Sequence, residues 1–202
     1  DLRYIMVGRD PRDVFMSLWN HYRNYSPLVI KLVNEVPGRV GDPFPPCPDD
    51  IHELWNSWIS RGWFAWESDG WPMFSMLHHA RTYWDFRHLP NLHFAHYADL
   101  KADLEGEIRR IARFLGIEHD DRAFREIAEA VRFDTVKKNP ERITGDMSLF
   151  FEGGAQSFIF KGTNGRWKDV LSEAELAQYR AAMEKNLEPA CVRWLEQGGP
   201  VR

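Results

Sequence analysis

The stretch Leu2-Arg3-Tyr4-Ile5-Met6-Val7-Gly8-Arg9-Asp10-Pro11 contains a short apolar run that breaks into a tight loop before a long helical pattern. The β-branched and aromatic members of the run predict a strand. Asp10 is a good N-cap and Pro11 suits a first helical position, so a helix is predicted to begin there. Strand, loop and helix in this order indicate an α/β fold, with Arg9 at the carboxyl end of the strand, where open α/β sheets bind ligands.

A second strand is predicted over residues 92–97, and the rest of the chain offers no other convincing one. A parallel sheet that is buried on both faces needs more than two strands. We therefore expect residues 1–202 to be the C-terminal portion of a single domain whose first strands lie upstream.

Residues 160–168, Phe-Lys-Gly-Thr-Asn-Gly-Arg-Trp-Lys, combine cations with glycines. The members of interest are Lys161, Arg166, Lys168, Gly162 and Gly165. Glycines let backbone N–H groups approach a ligand closely, and the cations suit phosphate or sulfate oxygens. The segment predicts an anion-binding loop, with a solvated surface turn as the alternative when the loop is considered alone.

Four short motifs follow one another along the chain: RDPRDV at residues 9–14 with Ser17, YADL at 97–100, FDTVKKNP at 133–140 and the loop at 160–168. In this order they resemble the cytosolic-type sulfotransferases, which use 3′-phosphoadenosine-5′-phosphosulfate (PAPS) as the sulfuryl donor. The resemblance covers most of the chain. It implies a three-layer α/β domain with a P-loop-like fold and a central parallel sheet, whose N-terminal strands are missing from this chain.

The resemblance also implies which residues bind the donor nucleotide, as PAPS or as its product PAP. Those implied for the 3′-phosphate are Arg9, Ser17, Lys161 and Gly162, with Phe160 in the same loop. Those implied for the adenine are Tyr97 and Phe133. No metal ion is implied.

Three positions depart from the family pattern. Phe160 stands where the family has arginine, Arg166 where it has aspartate, and Val131 where it has threonine. A phenyl ring offers no donors in place of a bidentate guanidinium, so phosphate affinity should rest more on Arg9 and Lys161. Whether Arg166 returns the lost charge is left open.

The catalytic residues are not assigned within the chain. The resemblance implies a general-base histidine and a phosphosulfate-binding loop with a lysine, both expected upstream of Asp1. The eight histidines show neither a triad-like nor a metal-like setting, and the usual zinc-site spacings of cysteine and histidine are absent.

A region rich in proline and tryptophan, residues 25–71, separates the first helix from the second strand. Its proline-rich part is predicted to be a loop or lid, and residues 51–62 to be a helix. An apolar acceptor pocket with a movable cover is one interpretation of this composition, and core packing is the other. The tryptophans proposed for the pocket are Trp55, Trp58, Trp63 and Trp66.

Composition sets the remaining limits. With 202 residues, 44% of them hydrophobic, the chain suits one domain, and a net charge of −4 argues against a general nucleic-acid binder. Two cysteines far apart indicate no disulfide framework, and no apolar stretch is long enough to cross a bilayer. A cytoplasmic protein is the expectation. The family's homodimer motif, Lys-x-x-x-Thr-Val-x-x-x-Glu, falls on Lys168, Ser172, Glu173 and Ala177. The motif as a whole is not kept, so a matching dimer is not predicted.

The predicted function is transfer of a sulfuryl group from PAPS to a hydroxyl or amine of a small, apolar acceptor. One alternative is a non-catalytic module that binds 3′-phosphoadenosine nucleotides. The other is a P-loop kinase-like phosphotransferase, which would need a Walker loop and a magnesium-binding aspartate.

Overall fold

The computed structural model describes residues 2–39 and 41–201. Two strands, β1 Tyr4–Gly8 and β2 Leu92–His96, pair in parallel with Tyr4 opposite Leu92 and Gly8 opposite His96. The two predicted strands and their parallel arrangement are confirmed. Because the strands are in register, Arg9 and Tyr97 leave the sheet side by side at its carboxyl edge.

Helices make up most of the remaining structure. In chain order they are α1 Pro11–Arg23, α2 Pro27–Asn34, α3 Ile51–Ser60, α4 Met76–Trp84, α5 Tyr97–Ala102, α6 Leu104–Leu115, α7 Asp121–Val131, α8 Phe133–Lys138, α9 Glu141–Thr144, α10 Gly154–Phe158, α11 Glu173–Asn186 and α12 Pro189–Gln197. A 3₁₀ turn covers Arg166–Asp169. No helix within residues 2–39 and 41–201 is both long and apolar enough to cross a membrane.

Local side-chain chemistry sets several helix ends where the sequence predicts them. The Asp10 carboxylate accepts a hydrogen bond from the Arg12 N–H at 2.9 Å, and Pro11 follows as the first residue of α1. Ser172 and Glu175 form the expected capping box at the start of α11. Gly116 ends α6 in the left-handed conformation, with φ of 72°.

Three helices differ from the predicted pattern. The apolar residues Leu104, Ile108, Ile111 and Leu115 predict one helix over residues 100–115, but the structure interrupts it at Asp103, whose carboxylate caps α6 through the Gly106 N–H at 2.9 Å. Pro189 opens a new helix, α12, because proline is suited to a first turn. Ser26 and Pro27 start α2, which precedes the proline-rich part and was not predicted.

The core joins α1, α3, α4, α11 and α12 beneath the strands. Phe15 packs edge-on against Trp55, with ring centroids 4.9 Å apart, and lies 5.3 Å from Trp58. A Cβ added at Gly8 would lie 2.2 Å from the Trp194 ring, so only glycine fits at the end of β1. This close packing fixes the strand end from which Arg9 projects.

β1 keeps much of its apolar surface exposed. Tyr4, Ile5 and Val7 are 45%, 38% and 59% exposed, and within the described ranges β2 is its one strand neighbour. Apolar strand surface of this kind is normally covered in parallel sheets. Further strands beside β1 stay a prediction.

Candidate functional site

A cavity of about 550 Å³ lies at the carboxyl ends of β1 and β2. Its walls come from α1, α5, the α7–α8 junction and the loop that precedes α11. All seven residues predicted to hold the donor line it: Arg9, Ser17, Tyr97, Phe133, Phe160, Lys161 and Gly162. The structure therefore brings together residues that are up to 153 positions apart, from Arg9 to Gly162.

Arg9 directly follows β1, and its side chain contacts the first residue of α5 and the loop. Its guanidinium carbon lies 4.3 Å from the centroid of the Tyr97 ring, in a cation–π contact. Its Nη2 donates to the Thr163 carbonyl at 3.1 Å and to the Asn164 Oδ1 at 3.2 Å. Its Nε is buried and has no partner in the described part of the chain. The Arg9 guanidinium thus keeps one donor that no described residue satisfies.

Three hydrogen bonds tie the loop to the helices beneath it. The Gly165 N–H donates to both carboxylate oxygens of Asp13, at 2.8 and 2.9 Å. Burial raises the pKa of the Asp13 carboxyl, and the hydrogen bond from Gly165 opposes that shift. On the other side, the Lys101 Nζ donates to the Gly162 carbonyl at 2.6 Å. These contacts hold the loop over the cavity.

Gly162 lies in the left-handed region, with φ of 61°, directly against the Phe133 ring. A Cβ at this position would lie 2.4 Å from the Phe133 ring carbon Cδ2. Both the backbone conformation and the space available therefore require glycine. The loop main chain and a flat aromatic face consequently meet in the cavity wall.

The loop side of the cavity is positively charged. The Lys161 Nζ and the Arg166 guanidinium carbon lie 5.3 and 5.1 Å from the Phe160 ring centroid. Burial lowers the pKa of Arg166, and the nearby charge of Arg9 lowers it further. Leu104, Val131 and Phe133 add apolar lining to the same cavity. The cavity suits a ligand with one anionic end and one flat apolar end.

His21 also contributes to the wall. Its ring stacks on Phe158 with centroids 4.9 Å apart, and its Nε2 lies 3.3 Å from the Phe158 carbonyl oxygen. Burial lowers the pKa of His21. The described residues contain no group of three histidine, cysteine, aspartate or glutamate side chains placed to hold a metal ion.

A second cavity, of about 380 Å³, lies in the proline- and tryptophan-rich region. Its lining is largely apolar and comprises Tyr25, Val29, Val33, Arg39, Asp42, Phe44, Trp63, Phe64, Pro72, Met73 and Phe74. Of the four tryptophans proposed for an acceptor pocket, Trp63 lines this cavity. Trp66 is 68% exposed and stacks on Phe64 outside it. Trp55 and Trp58 are core residues, because they pack on Phe15, and their proposed pocket role is corrected.

A series of aromatic rings connects the walls of the two cavities. Phe151 lies between them, with its centroid 5.5 Å from His21 and 5.3 Å from Tyr25. Phe44 continues the series, 6.5 Å from Tyr25 and 6.3 Å from Trp63. The two cavities are therefore separated by one series of aromatic side chains, which we call the partition.

Sequence reasoning missed two residues that hold the loop, Lys101 in the wall of the first cavity and Asp13 outside that wall. Lys101 and Asp13 carry the hydrogen bonds that hold the loop, yet neither was predicted as a site residue. A usable signal existed for Lys101, because it follows Tyr97 by four positions within α5, and that spacing places two side chains on one face of a helix. No such signal marks Asp13, because Arg9 lies before the first residue of α1.

A parallel strand pair with cations and glycines at its carboxyl edge is typical of α/β folds whose ligands are anionic. The sequence matches the sulfotransferase domain family over residues 1–190. The chain therefore belongs to the sulfotransferase domain family, and the predicted family and fold class are confirmed.

Among curated proteins, the glycolipid sulfotransferase of Mycobacterium bovis is 28% identical over 209 residues, which cover 96% of this chain and 64% of that protein. Sulfotransferase 1C2 of Homo sapiens is 23% identical over 194 residues, which cover 95% of this chain and 57% of that protein. The chain thus spans about three fifths of the length of these relatives.

Two solved structures share the fold. Retinol dehydratase in complex with androsterone and the inactive cofactor PAP superposes with a TM-score of 0.65 and 26% identity, covering 93% of this chain and 48% of that one. Mouse sulfotransferase SULT7A1 complexed with PAP gives a TM-score of 0.68 at 17% identity, covering 93% of this chain and 59% of that one. The second likeness shows the fold alone.

Proposed function

We propose that the protein transfers a sulfuryl group from PAPS to a hydroxyl or amine of a small, apolar acceptor. The observation that carries the proposal is the meeting of all seven predicted donor residues in one cavity at the carboxyl edge of the strands. The PAP complex of retinol dehydratase supports it, because that protein is similar in both sequence and structure. The family match favours a transferase over a non-catalytic nucleotide module or a kinase-like phosphotransferase.

In this proposal the charged side of the cavity takes the 3′-phosphate. Arg9 offers its unpartnered Nε, and Ser17 lines the same wall one helical turn beyond Asp13. Lys161 adds charge from the loop. Arginine suits phosphate because its planar fork can donate two parallel hydrogen bonds. The adenine then lies toward Tyr97 and Phe133, whose rings offer flat faces.

The contribution of these residues to the reaction is positioning. In the transfer, the bond from sulfur to the bridging phosphate oxygen breaks as the bond from sulfur to the acceptor oxygen or nitrogen forms, and the acceptor loses a proton. A fixed nucleotide aligns the sulfur with the acceptor, which is worth several orders of magnitude in rate. The loop over the cavity excludes water from the nucleotide.

The second cavity is our proposed acceptor site. Its lining is apolar, Trp63 and Tyr25 provide large flat surfaces, and the ring series through Phe151 brings it next to the donor cavity. The names of similar proteins mention a glycolipid, retinol and androsterone, all of them largely apolar molecules. A cytoplasmic location and independence from metal ions belong to the same proposal.

Calorimetry with two nucleotides tests the donor site. Arg9→Ala should weaken the binding of adenosine 3′,5′-bisphosphate by about tenfold to a hundredfold, since a charge-assisted hydrogen bond contributes about 1.5–3 kcal/mol. Binding of adenosine 5′-phosphate, which lacks the 3′ group, should change far less. The matched control is Arg180→Ala, at an exposed arginine on α11. Equal losses for both nucleotides would rule out the assignment of Arg9.

Turnover tests the activity itself. The protein expressed from its complete reading frame should release PAP from PAPS in the presence of an apolar alcohol or phenol. Trp63→Ala should raise the KM for that acceptor while leaving nucleotide affinity unchanged. Binding of PAP without any turnover across alcohols, phenols, amines and glycolipids would instead support a non-catalytic nucleotide module.

A further inference from the structure

The loop departs from the family pattern at two positions that the fold brings together. Phe160 replaces an arginine and Arg166 replaces an aspartate, six positions later. Gly162 and Gly165 both have positive φ, 61° and 79°, and turn the loop back on itself. As a result, the Arg166 guanidinium carbon lies 5.1 Å from the Phe160 ring centroid, and both side chains line the donor cavity.

Arg166 has no carboxylate partner there. Across residues 2–39 and 41–201 it forms no ion pair. The neighbouring carboxylate, Asp13, gives both of its oxygens to the Gly165 N–H. Arg9, which faces the same cavity, keeps a buried Nε without a partner in the described residues. Two partly buried guanidinium groups of this kind repel each other until an anion lies between them.

We propose that Arg166 binds the donor's 3′-phosphate together with Arg9 and so replaces the arginine that is missing at position 160; this rests on the function proposed above. Both arginines line the same cavity, and a planar guanidinium suits a phosphate better than a lysine ammonium does. The phenyl ring of Phe160 supports the relocated guanidinium by a cation–π contact. Arg166 is thereby a specificity-determining residue for the 3′ group.

A double-mutant cycle tests the replacement. The four proteins are the wild type, Phe160→Arg, Arg166→Ala and the double variant, each expressed from the complete reading frame. Calorimetry gives the ratio of dissociation constants for adenosine 5′-phosphate and adenosine 3′,5′-bisphosphate. Arg166→Ala should reduce this ratio by about tenfold to a hundredfold. The same change should cost much less when arginine stands at position 160, because one guanidinium then substitutes for the other.

Arg180→Ala is the matched control, because Arg180 is an exposed arginine on α11 and does not line the cavity. It should leave the ratio unchanged, and thermal melts should show that all variants fold. An unchanged ratio in Arg166→Ala, with the wild type still preferring the bisphosphate, would overturn this inference and leave the proposed function intact. Absence of bisphosphate binding by the wild type would instead overturn the proposed function.

Discussion

The first cavity, which we call the donor cavity, and the tryptophan-rich region both contain aromatic residues and both were proposed as binding sites. The sequence predicted the lining residues of the donor cavity better than those of the tryptophan-rich region. Every predicted donor residue lines one cavity. Of the four tryptophans proposed for the acceptor, Trp63 alone lines the second cavity, and Trp55 and Trp58 lie in the core. The donor prediction rested on four ordered motifs and the family resemblance that they carry, and the acceptor prediction on the aromatic composition of one region.

The difference has a physical basis. A cation or a glycine with positive φ is costly to bury or to place without a reason, so its position in a motif indicates what surrounds it. A tryptophan ring gains free energy in any dry environment, whether core or pocket. Composition can therefore indicate many buried rings without saying which of them face a ligand.

The largest expected effect is a difference in the free energy of unfolding between two tryptophan variants of the tryptophan-rich region. Trp55→Ala should lower the free energy of unfolding by about 3–5 kcal/mol, because its ring is fully buried against Phe15 and truncation leaves a cavity. Trp66→Ala should change it by less than about 1 kcal/mol, since that side chain is 68% exposed. Urea unfolding followed by circular dichroism measures both. Comparable losses would mean that Trp66 is also a core residue.

Next in size is the effect of adding one methyl group to the loop. Gly162→Ala should cost about 1–2 kcal/mol for the left-handed backbone and should also displace the Phe133 ring, which lies 2.4 Å from the added Cβ. Nucleotide affinity should fall with it, as measured by calorimetry.

Gly38→Ala is the control for that change. Gly38 also has a positive φ, 75°, but no atom lies within 4 Å of its added Cβ. It should therefore lose stability without losing nucleotide affinity. If both variants bind the bisphosphate nucleotide as the wild type does, contact between Gly162 and Phe133 is not needed for binding.

Sequence reasoning reached the strands and most helix ends because each depends on local chemistry, and it reached the donor residues through the family resemblance of their motifs. The Asp10 cap and the turn at Gly116 follow from single residues and their neighbours. The anchoring of Gly165 by Asp13 does not, because it joins positions 152 apart and uses a backbone N–H that no sequence pattern marks. The cap at Asp103 was missed for another reason: the apolar face continues across it, so periodicity hides the break.

A smaller expected effect is slower hydrogen exchange in the loop when nucleotide binds. In the described structure the amides of residues 160–163 donate to no backbone or side-chain acceptor, while the Gly165 N–H is bonded to buried Asp13. Bisphosphate nucleotide should therefore slow hydrogen exchange at 160–163 and change Gly165 little. Lys161→Ala should remove most of that slowing. Slow exchange at 160–163 before nucleotide is added would show a rigid turn instead.

The smallest effect concerns His21, which lines the donor cavity and faces the ring series toward Tyr25. Burial lowers its pKa from the ordinary value of 6.5, so in mildly acidic solution the unfolded chain binds more protons than the folded one. The stability from keeping His21 neutral is complete above pH 6.5 and is lost as the pH falls below it. His21→Phe should make the unfolding free energy fall less steeply between about pH 6.5 and 5, as urea titrations at several pH values would show.

His88→Phe, at an exposed histidine, controls for the loss of an imidazole. Identical pH dependence in wild type and His21→Phe would mean that the partition between the two cavities accepts a charged ring, and the apolar character proposed for the acceptor path would fail with it.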